Sequence, residues 1–472
     1  MPLLASFMVP HPPLIVPQVG RGNEKQVAAT IASYEKVADE IAALHPDTVI
    51  ITSPHQTMYA DYFHISPGRS ARGSFAKFGA PQVRFSEEYD EDLADKISEI
   101  ADSRGFPCGT LGEESSALDH GTMVPLWFIR NKYKGGKIVR IGLSGLPLTD
   151  HYKLGMIICE AVDSLDRKAV FVASGDLSHK LQDYGPYGFA EEGPQYDERI
   201  MDVMGRAAFG ELFDFSESFC DKAAECGHRS FVIMAGAWDG RNIKVRKYSH
   251  EDVTGVGYGI CSFYPEEGEA NDRHFLKDYL NKEEKQLSDM KAASDIYVRL
   301  ARLSLESYIR DKRRISLPEE LLNIAESNET PEDLLNRRAG AFVSIHKFGK
   351  LRGCIGTISP TAPNLAQEIA NNAISASTRD PRFDAITEDE LPMLEVNVDV
   401  LGEPEDIDSK DKLDVKRYGV IVSMRDGRRG LLLPDLEGVD TVDDQVDIAM
   451  RKGGIRPGEK YYLQRFEVVR HV

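Results

Sequence analysis

Several things are missing from this chain, and each absence narrows the reading. Its six cysteines (Cys108, Cys159, Cys220, Cys226, Cys261, Cys354) are scattered, with no CxxC spacing. That excludes a disulfide framework and fits a reducing cytoplasm. No apolar run approaches the ~18 residues of a membrane span. The N-terminus is apolar, but it lacks a basic lead region and is interrupted by Pro10, Pro12, Pro13 and Pro17, so it reads as a first strand and not as a signal peptide. Positive charge is in deficit: 57 Lys and Arg against 76 Asp and Glu give a formal net charge of -19. A nucleic-acid backbone needs a concentrated basic surface, so it is excluded as main partner. There is no GxGxxG fingerprint, no P-loop and no G-x-S-x-G elbow, which leaves nucleotide binding and serine hydrolysis without support. Internal repeats and low-complexity tracts are also absent. A soluble cytoplasmic protein with neither a membrane nor a nucleic acid as partner is expected.

What is present is length and a repeated local pattern. A chain of 472 residues is too long for one ordinary core, so two or more domains are expected. Thr48 to Thr52 is an unbroken β-branched run, as in a parallel strand covered on both faces. Pro54 ends it, and His55 follows. Leu4 to Val9 runs into Pro10 and His11 in the same way, and Ala169 to Ala173 runs into Ser174-Gly175-Asp176-Leu177-Ser178-His179. Open α/β sheets bind ligands outside the carboxyl ends of their strands. Three strands that each deliver a histidine to one edge therefore mark a site. Asn23 to Leu44 has helical periodicity between the first two strands, which predicts a right-handed βαβ unit. Residues 68–79 read as a polar, glycine-bearing loop. Gly185 to Gly193 reads as a lid or substrate wall.

Pro265 to Lys291 is dense in charge, as a solvated linker or a charged helix would be. The expected domains are residues 1–264, a charged linker 265–286, and residues 287–472. The first is expected to be α/β, with a central mostly parallel sheet flanked by helices. Beyond the linker, strands and helices mix without a steady βαβ rhythm, which predicts α+β.

Two imidazoles and one carboxylate on one face make a mononuclear non-haem iron(II) site. His11 and His55, held by rigid strand ends, suit the imidazole roles. A third ligand is expected from another strand-to-helix junction, and Ala223-Ala224-Glu225-Cys226-Gly227-His228-Arg229 offers a Glu, a Cys and a His. His120 and His179 remain as acid/base groups, because imidazole titrates in the useful range.

Pro10-His11-Pro12-Pro13, Ser53-Pro54-His55, Leu118-Asp119-His120-Gly121, Ser174 to His179 and Glu225-Cys226-Gly227 together resemble the class III extradiol dioxygenase (LigB-type) superfamily, its Memo branch included. The resemblance covers about residues 1 to 264. It implies that His11, His55 and Glu225 bind Fe(II), that His179 is the general base that deprotonates a catechol, and that His120 orients substrate or oxygen. A small aromatic diol and O2 would be the substrates. In the Memo branch the third position is a cysteine in a Cys-Gly context, which Cys226-Gly227 also fits; a thiolate there would favour softer metals such as Zn or Cu.

In the second half, Arg352-Gly353-Cys354-Ile355-Gly356-Thr357 stands out. Arg352 beside Cys354 is one arrangement that activates a thiol, and a buried structural cysteine in a strand is the other reading. With Asp380-Pro381-Arg382-Phe383, Leu394 to Leu401 and Gly430 to Pro434, this stretch resembles the AMMECR family over about residues 287 to 470. The resemblance implies an α+β fold of two unequal lobes with Arg352 and Cys354 near a cleft, and it supplies no reaction. Fusion to a Memo-like domain resembles the bacterial arrangement found with a radical-SAM protein, which makes such a protein the expected partner.

Overall fold

Three apolar runs of the first half become neighbouring parallel strands, and the alternation of their side chains fills two cores. Along Ala169–Ser174, Ala169, Phe171 and Ala173 enter one hydrophobic cluster, and Val170 and Val172 enter another. Thr48–Ser53 divides in the same way, with Ile50 on one face and Val49 and Ile51 on the other. All six residues of each strand are buried, which is why both sequences read as continuous apolar runs and not as alternating ones. The computed structural model describes residues 2–268, 273–327, 329–436 and 438–472. It divides into two units, Met1–Leu280 and Asn281–Val472, and the division falls inside the helix Phe275–Ala293. The charged stretch after Pro265 is therefore helical from Phe275 onwards.

The sheet of the first unit has six strands in the order Lys137–Gly142, Thr48–Ser53, Ala169–Ser174, Leu3–Val9, Tyr258–Pro265 and Ile243–Glu251. The first four are parallel, and the last two close the edge antiparallel. Register brings the carboxyl ends level: Val9 lies opposite Ser174, and Thr52 opposite Ala173. The strand endings expected from Pro10 and Pro54 are where the strands end.

Helices Ala28–Leu44 and His120–Lys132 cover one face, where Tyr34 stacks on Phe128 at 4.2 Å. The Tyr34 hydroxyl, buried beneath this layer, donates to the Pro10 carbonyl and so pins the turn that carries His11. Helices Glu91–Ser103, Leu148–Ser164, Glu192–Arg206 and His228–Gly236 cover the other face. The expectation of a loop over residues 68–79 is corrected. Ser70–Phe75 is a strand paired antiparallel with Ala80–Glu88, and the turn between them holds Ala76–Phe78. Its short polar residues hid a two-stranded ribbon whose alternate residues Ala71 and Phe75 are buried.

The second unit has a seven-stranded antiparallel sheet in the order Lys350–Gly356, Ala341–Lys347, Leu394–Leu401, Tyr462–His471, Tyr418–Ser423 and Arg429–Leu432, with Glu405–Ile407 also on Tyr462–His471. Helices Ile296–Asp311 and Leu365–Thr378 pack on one part, and Val442–Lys452 on the other, so the unit has the expected α+β character. Among the described residues no helix is long and apolar enough to cross a membrane.

Helices Leu148–Ser164 and His228–Gly236 cross at two glycines. A Cβ on Gly155 would lie 1.9 Å from the Ile233 carbonyl oxygen, and one on Gly236 would lie 2.0 Å from that of Tyr152. Gly155→Ala is expected to lower the free energy of unfolding by about 2 kcal/mol through this overpacking. Gly205→Ala, which meets only the Lys247 side chain at 3.5 Å, should raise it by about 0.5–1 kcal/mol through helix propensity. Urea unfolding of the two variants checks both signs.

Candidate metal centre

The level strand ends deliver His11 and His55 to one spot, with their Nε2 atoms 2.9 Å apart. Two ligand atoms in cis positions on one ion, at bond lengths of about 2.1 Å, stand about 3 Å apart. Cys226 joins them, with Sγ 3.7 Å from His11 Nε2. His11, His55 and Cys226 form one group whose ligand atoms all lie within 4.8 Å of one another, and Asp176, His179 and Cys226 form another. His11 is buried and His55 is exposed, so the cluster opens to solvent on the His55 side.

Hydrogen bonds decide which ring nitrogens are free. The single hydroxyl proton of Ser174 goes to the Gly121 carbonyl at 2.6 Å. The 3.0 Å contact between His11 Nδ1 and Ser174 Oγ must then be donated by the imidazole, which leaves the His11 Nε2 lone pair facing the cluster. His179 Nδ1 meets the Ala224 carbonyl, which can only accept, so Nε2 is this ring's lone-pair nitrogen. A carboxylate or carbonyl partner on the far nitrogen is how metal-binding and proton-accepting imidazoles are commonly oriented.

A second network holds the His55 and His120 segments. Asp119 accepts from Ser53 Oγ at 2.6 Å, from Thr122 N at 3.0 Å and from Thr122 Oγ1 at 2.8 Å, and Arg140 Nη1 lies 3.8 Å away. Burial raises the Asp119 carboxyl, but these bonds and the Arg140 charge hold it below the usual carboxylate range. Ser53 Oγ accepts from the His55 amide at 3.2 Å, and Asp119 caps the helix that begins at His120. The His55 and His120 rings consequently lie 3.9 Å apart.

Cys226 reaches the cluster through a close backbone approach. A Cβ on Gly175 would lie 2.1 Å from Gly227 Cα, so the loops bearing Asp176 and Cys226 come this close because Gly175 carries no side chain. Asp176 Oδ1 accepts from the His11 amide at 2.7 Å, its Oδ2 lies 3.9 Å from His11 Nε2, and its amide meets Cys226 Sγ at 3.4 Å. Burial, reinforced by the His55 and His120 imidazoles, keeps His11 well below the ordinary histidine value; burial and His55 bring His120 down to about 4. Burial, then the Asp176 and Glu225 carboxylates, push the Cys226 thiol well above its ordinary value. His11, His55 and His120 are neutral and the thiol protonated near neutrality, so a cation held by His11, His55 and Cys226 would displace one proton, from sulfur.

The structure brings His11, His55, His120, His179 and Cys226 together. Glu225, which the sequence favours as third ligand, takes other partners: its Oε2 accepts from the His228 amide at 2.6 Å at the start of a helix. Among the described residues Glu225 belongs to neither ligand group. Ala224, in the left-handed region at φ 54°, turns the chain so that Cys226, and not Glu225, comes to the cluster. Burial raises the Glu225 carboxyl to about 7 despite that amide. His228 points into the core, with Nε2 donating to the Leu212 carbonyl at 3.0 Å. Sequence reasoning left out Asp176 and Ser174, which belong to the strand-end motif it quoted, and Asp119, which precedes His120.

In the second unit, Arg352 is engaged within the fold. Its Nε and Nη2 meet the two Glu390 oxygens, each at 3.0 Å, and Nη1 donates to the Asp384 carbonyl at 2.7 Å. Although burial raises the Glu390 carboxyl, Arg352 and Lys347 pull it down to about 2. Cys354 lies in the strand Lys350–Gly356, where its amide donates to Asp380 and its sulfur accepts from Ser344 Oγ at 3.3 Å. Arg382 holds the Asp380 carboxylate at 2.7 Å.

If the Ser174 hydroxyl sets the His11 tautomer, Ser174→Ala should weaken zinc binding by roughly 10- to 100-fold without loss of folding. Competition against a chromophoric chelator measures this.

Residues 5–261 match the family model described as the catalytic LigB subunit of aromatic ring-opening dioxygenase, and residues 298–471 match that of AMMECR1. The Clostridium acetobutylicum protein CA_C1420 is 39% identical over 478 residues, covering 100% of this chain and 99% of that protein. A Thermotoga maritima protein is 49% identical over 177 residues, 37% of this chain and 96% of its own length. Of solved structures, the Pyrococcus horikoshii protein PH0010 is 29% identical with a TM-score of 0.33, covering 38% of this chain and 89% of that one. The Escherichia coli K12 protein JW3007 is 14% identical with a TM-score of 0.38, covering 55% and 99%. The chain thus belongs to the LigB family, as a fusion in which a LigB domain is followed by an AMMECR1 domain.

Proposed function

We propose that the first unit is a metal-dependent ring-opening dioxygenase of the extradiol kind, with Fe(II) held by His11, His55 and Cys226. One observation carries this reading: the His11 Nε2 lone pair, fixed by Ser174, converges with His55 Nε2 at 2.9 Å and Cys226 Sγ at 3.7 Å. The donor set is two neutral imidazoles and a thiol beside a buried carboxylate, which suits a divalent iron, zinc or copper ion. A bound ferrous ion supplies the redox chemistry by which an aromatic diol and dioxygen react, both oxygen atoms entering the product as the ring bond beside the diol breaks.

The chain's own residues supply the rest. A diol entering from the open His55 side gives up a hydroxyl proton to His179 Nε2, whose other nitrogen is fixed by Ala224. The imidazolium so formed is stabilised by Asp176, which lies in the same ligand group. His120, against the His55 ring, is the residue that would orient substrate or dioxygen there. A second reading is favoured by Cys226 standing where the sequence favoured Glu225: a Memo-like protein that holds metal without turnover and acts on a partner, a radical-SAM protein being the expected one.

Purified without oxygen, the full chain should carry about one iron, lose it in His55→Ala and Cys226→Ala, and keep it in Glu225→Ala. Ring opening of simple catechols by the iron-loaded chain separates turnover from mere holding. No metal under any condition sinks both readings.

Zinc affinity should rise about tenfold per pH unit between pH 6 and 8, because the Cys226 thiol releases its proton on binding and the depressed imidazoles release none. Calorimetry in buffers of different ionisation enthalpy counts that proton, and Cys226→Ala should abolish the slope.

A further inference from the structure

Two exposed aromatic rings border the cluster, each on a pinned turn and each against one of the two histidines outside the His11–His55–Cys226 group. Phe78 ends the turn Ala76–Phe78, which is tied down where Arg21 donates to the Gly79 carbonyl at 2.7 Å; its ring meets His120 at 5.4 Å and 62°. Tyr187 lies in the loop closed by the Leu181–Phe189 bridge and by Gly188, at φ 73°; its ring meets His179 at 5.1 Å and 80°. From His11 one path of contacts leads through His55 and His120 to Phe78, and another through Cys226 and His179 to Tyr187.

Near-perpendicular contacts use an edge of one ring and leave other ring surface open. Phe78 remains 37% exposed and Tyr187 60% exposed. Exposed apolar side chains are common on protein surfaces; what sets these two rings apart is that each lies against a histidine of the cluster. Here they stay open beside the two groups that would receive and orient a bound diol.

We infer that Phe78 and Tyr187 are specificity-determining walls: among ligands able to reach the cluster, they select those carrying a flat unsaturated ring. This rests on the metal reading above. The ligand's ring covers the open aromatic surface while its polar end faces His11, His55 and Cys226. Offset or edge contacts with two rings favour a planar ligand over an aliphatic one with the same polar head.

The test uses the zinc-loaded full chain and two chelators that share one head group, benzohydroxamate and acetohydroxamate. Wild type should bind the benzo form tighter by more than tenfold. Phe78→Ala and Tyr187→Ala should each remove about three- to tenfold of that preference, leaving acetohydroxamate affinity and zinc content unchanged. Tyr187→Phe should retain the preference, since the ring and not the hydroxyl does the selecting. Wild type that holds zinc but shows no preference, or alanine variants that weaken both chelators alike or neither, would overturn the inference and leave the metal reading standing. Wild type that holds no zinc overturns the metal reading and the inference with it.

Discussion

One hydroxyl group ties the site together. Ser174 Oγ accepts from His11 and donates to the Gly121 carbonyl, and so joins the ends of two parallel strands to the first turn of the helix that begins at His120. A hydroxyl has one proton to give, so the direction of one bond dictates the direction of the other. Were Ser174 to donate to His11 instead, the Gly121 carbonyl would lose its partner and the His11 Nε2 would carry a proton into the cluster. The geometry of the centre thus depends on a side chain that never faces the ligand. Ser53 has a comparable role on the neighbouring strand, donating to Asp119 and receiving the His55 amide.

Electrostatics follow from this packing. The cluster collects imidazoles against a buried Asp176 and a buried thiol, and in the free protein burial dominates the shifts: it lowers the bases and raises the acids. His11, His55, His120 and Cys226 are driven toward their neutral forms. Neutral imidazoles are ready ligands, whereas a protonated thiol is not, so the free site holds one latent charge that a cation must uncover. Asp119 is the exception, kept charged by hydrogen bonds and Arg140. It lies behind His55 and His120, where a fixed negative charge orients structure without competing for the ion.

Much of this was legible in the sequence, and for a definite reason. Strands buried on both faces are continuous apolar runs, and prolines end them, so His11 and His55 announce their own position. His179 follows from Ala169 to Ser174 in the same manner. The ribbon over residues 70–88 escaped because its exposed face is polar and its strand Ser70–Phe75 contains a glycine. Asp176 escaped as a site residue because nothing local separates a carboxylate that faces a cluster from one that closes a turn.

Glu225 and Cys226 show where such reading stops. The two are adjacent, both bear ligand chemistry, and both fit the expected strand-to-helix junction. In the structure that junction is a turn between helices Glu217–Ala223 and His228–Gly236. Residue type and spacing cannot rank them, because the outcome is decided by one left-handed residue, Ala224, and by contact between Gly175 and Gly227, which lie 52 residues apart in number. Once those glycines touch, the sulfur falls beside His11, and the carboxylate is left to bind the amide that opens the next helix. The choice has a chemical consequence. A carboxylate would give the ion a hard anionic oxygen, whereas the thiol binds softly and only by expelling its proton. Which of the two donors faces His11 is thereby set by a backbone contact between two residues without side chains.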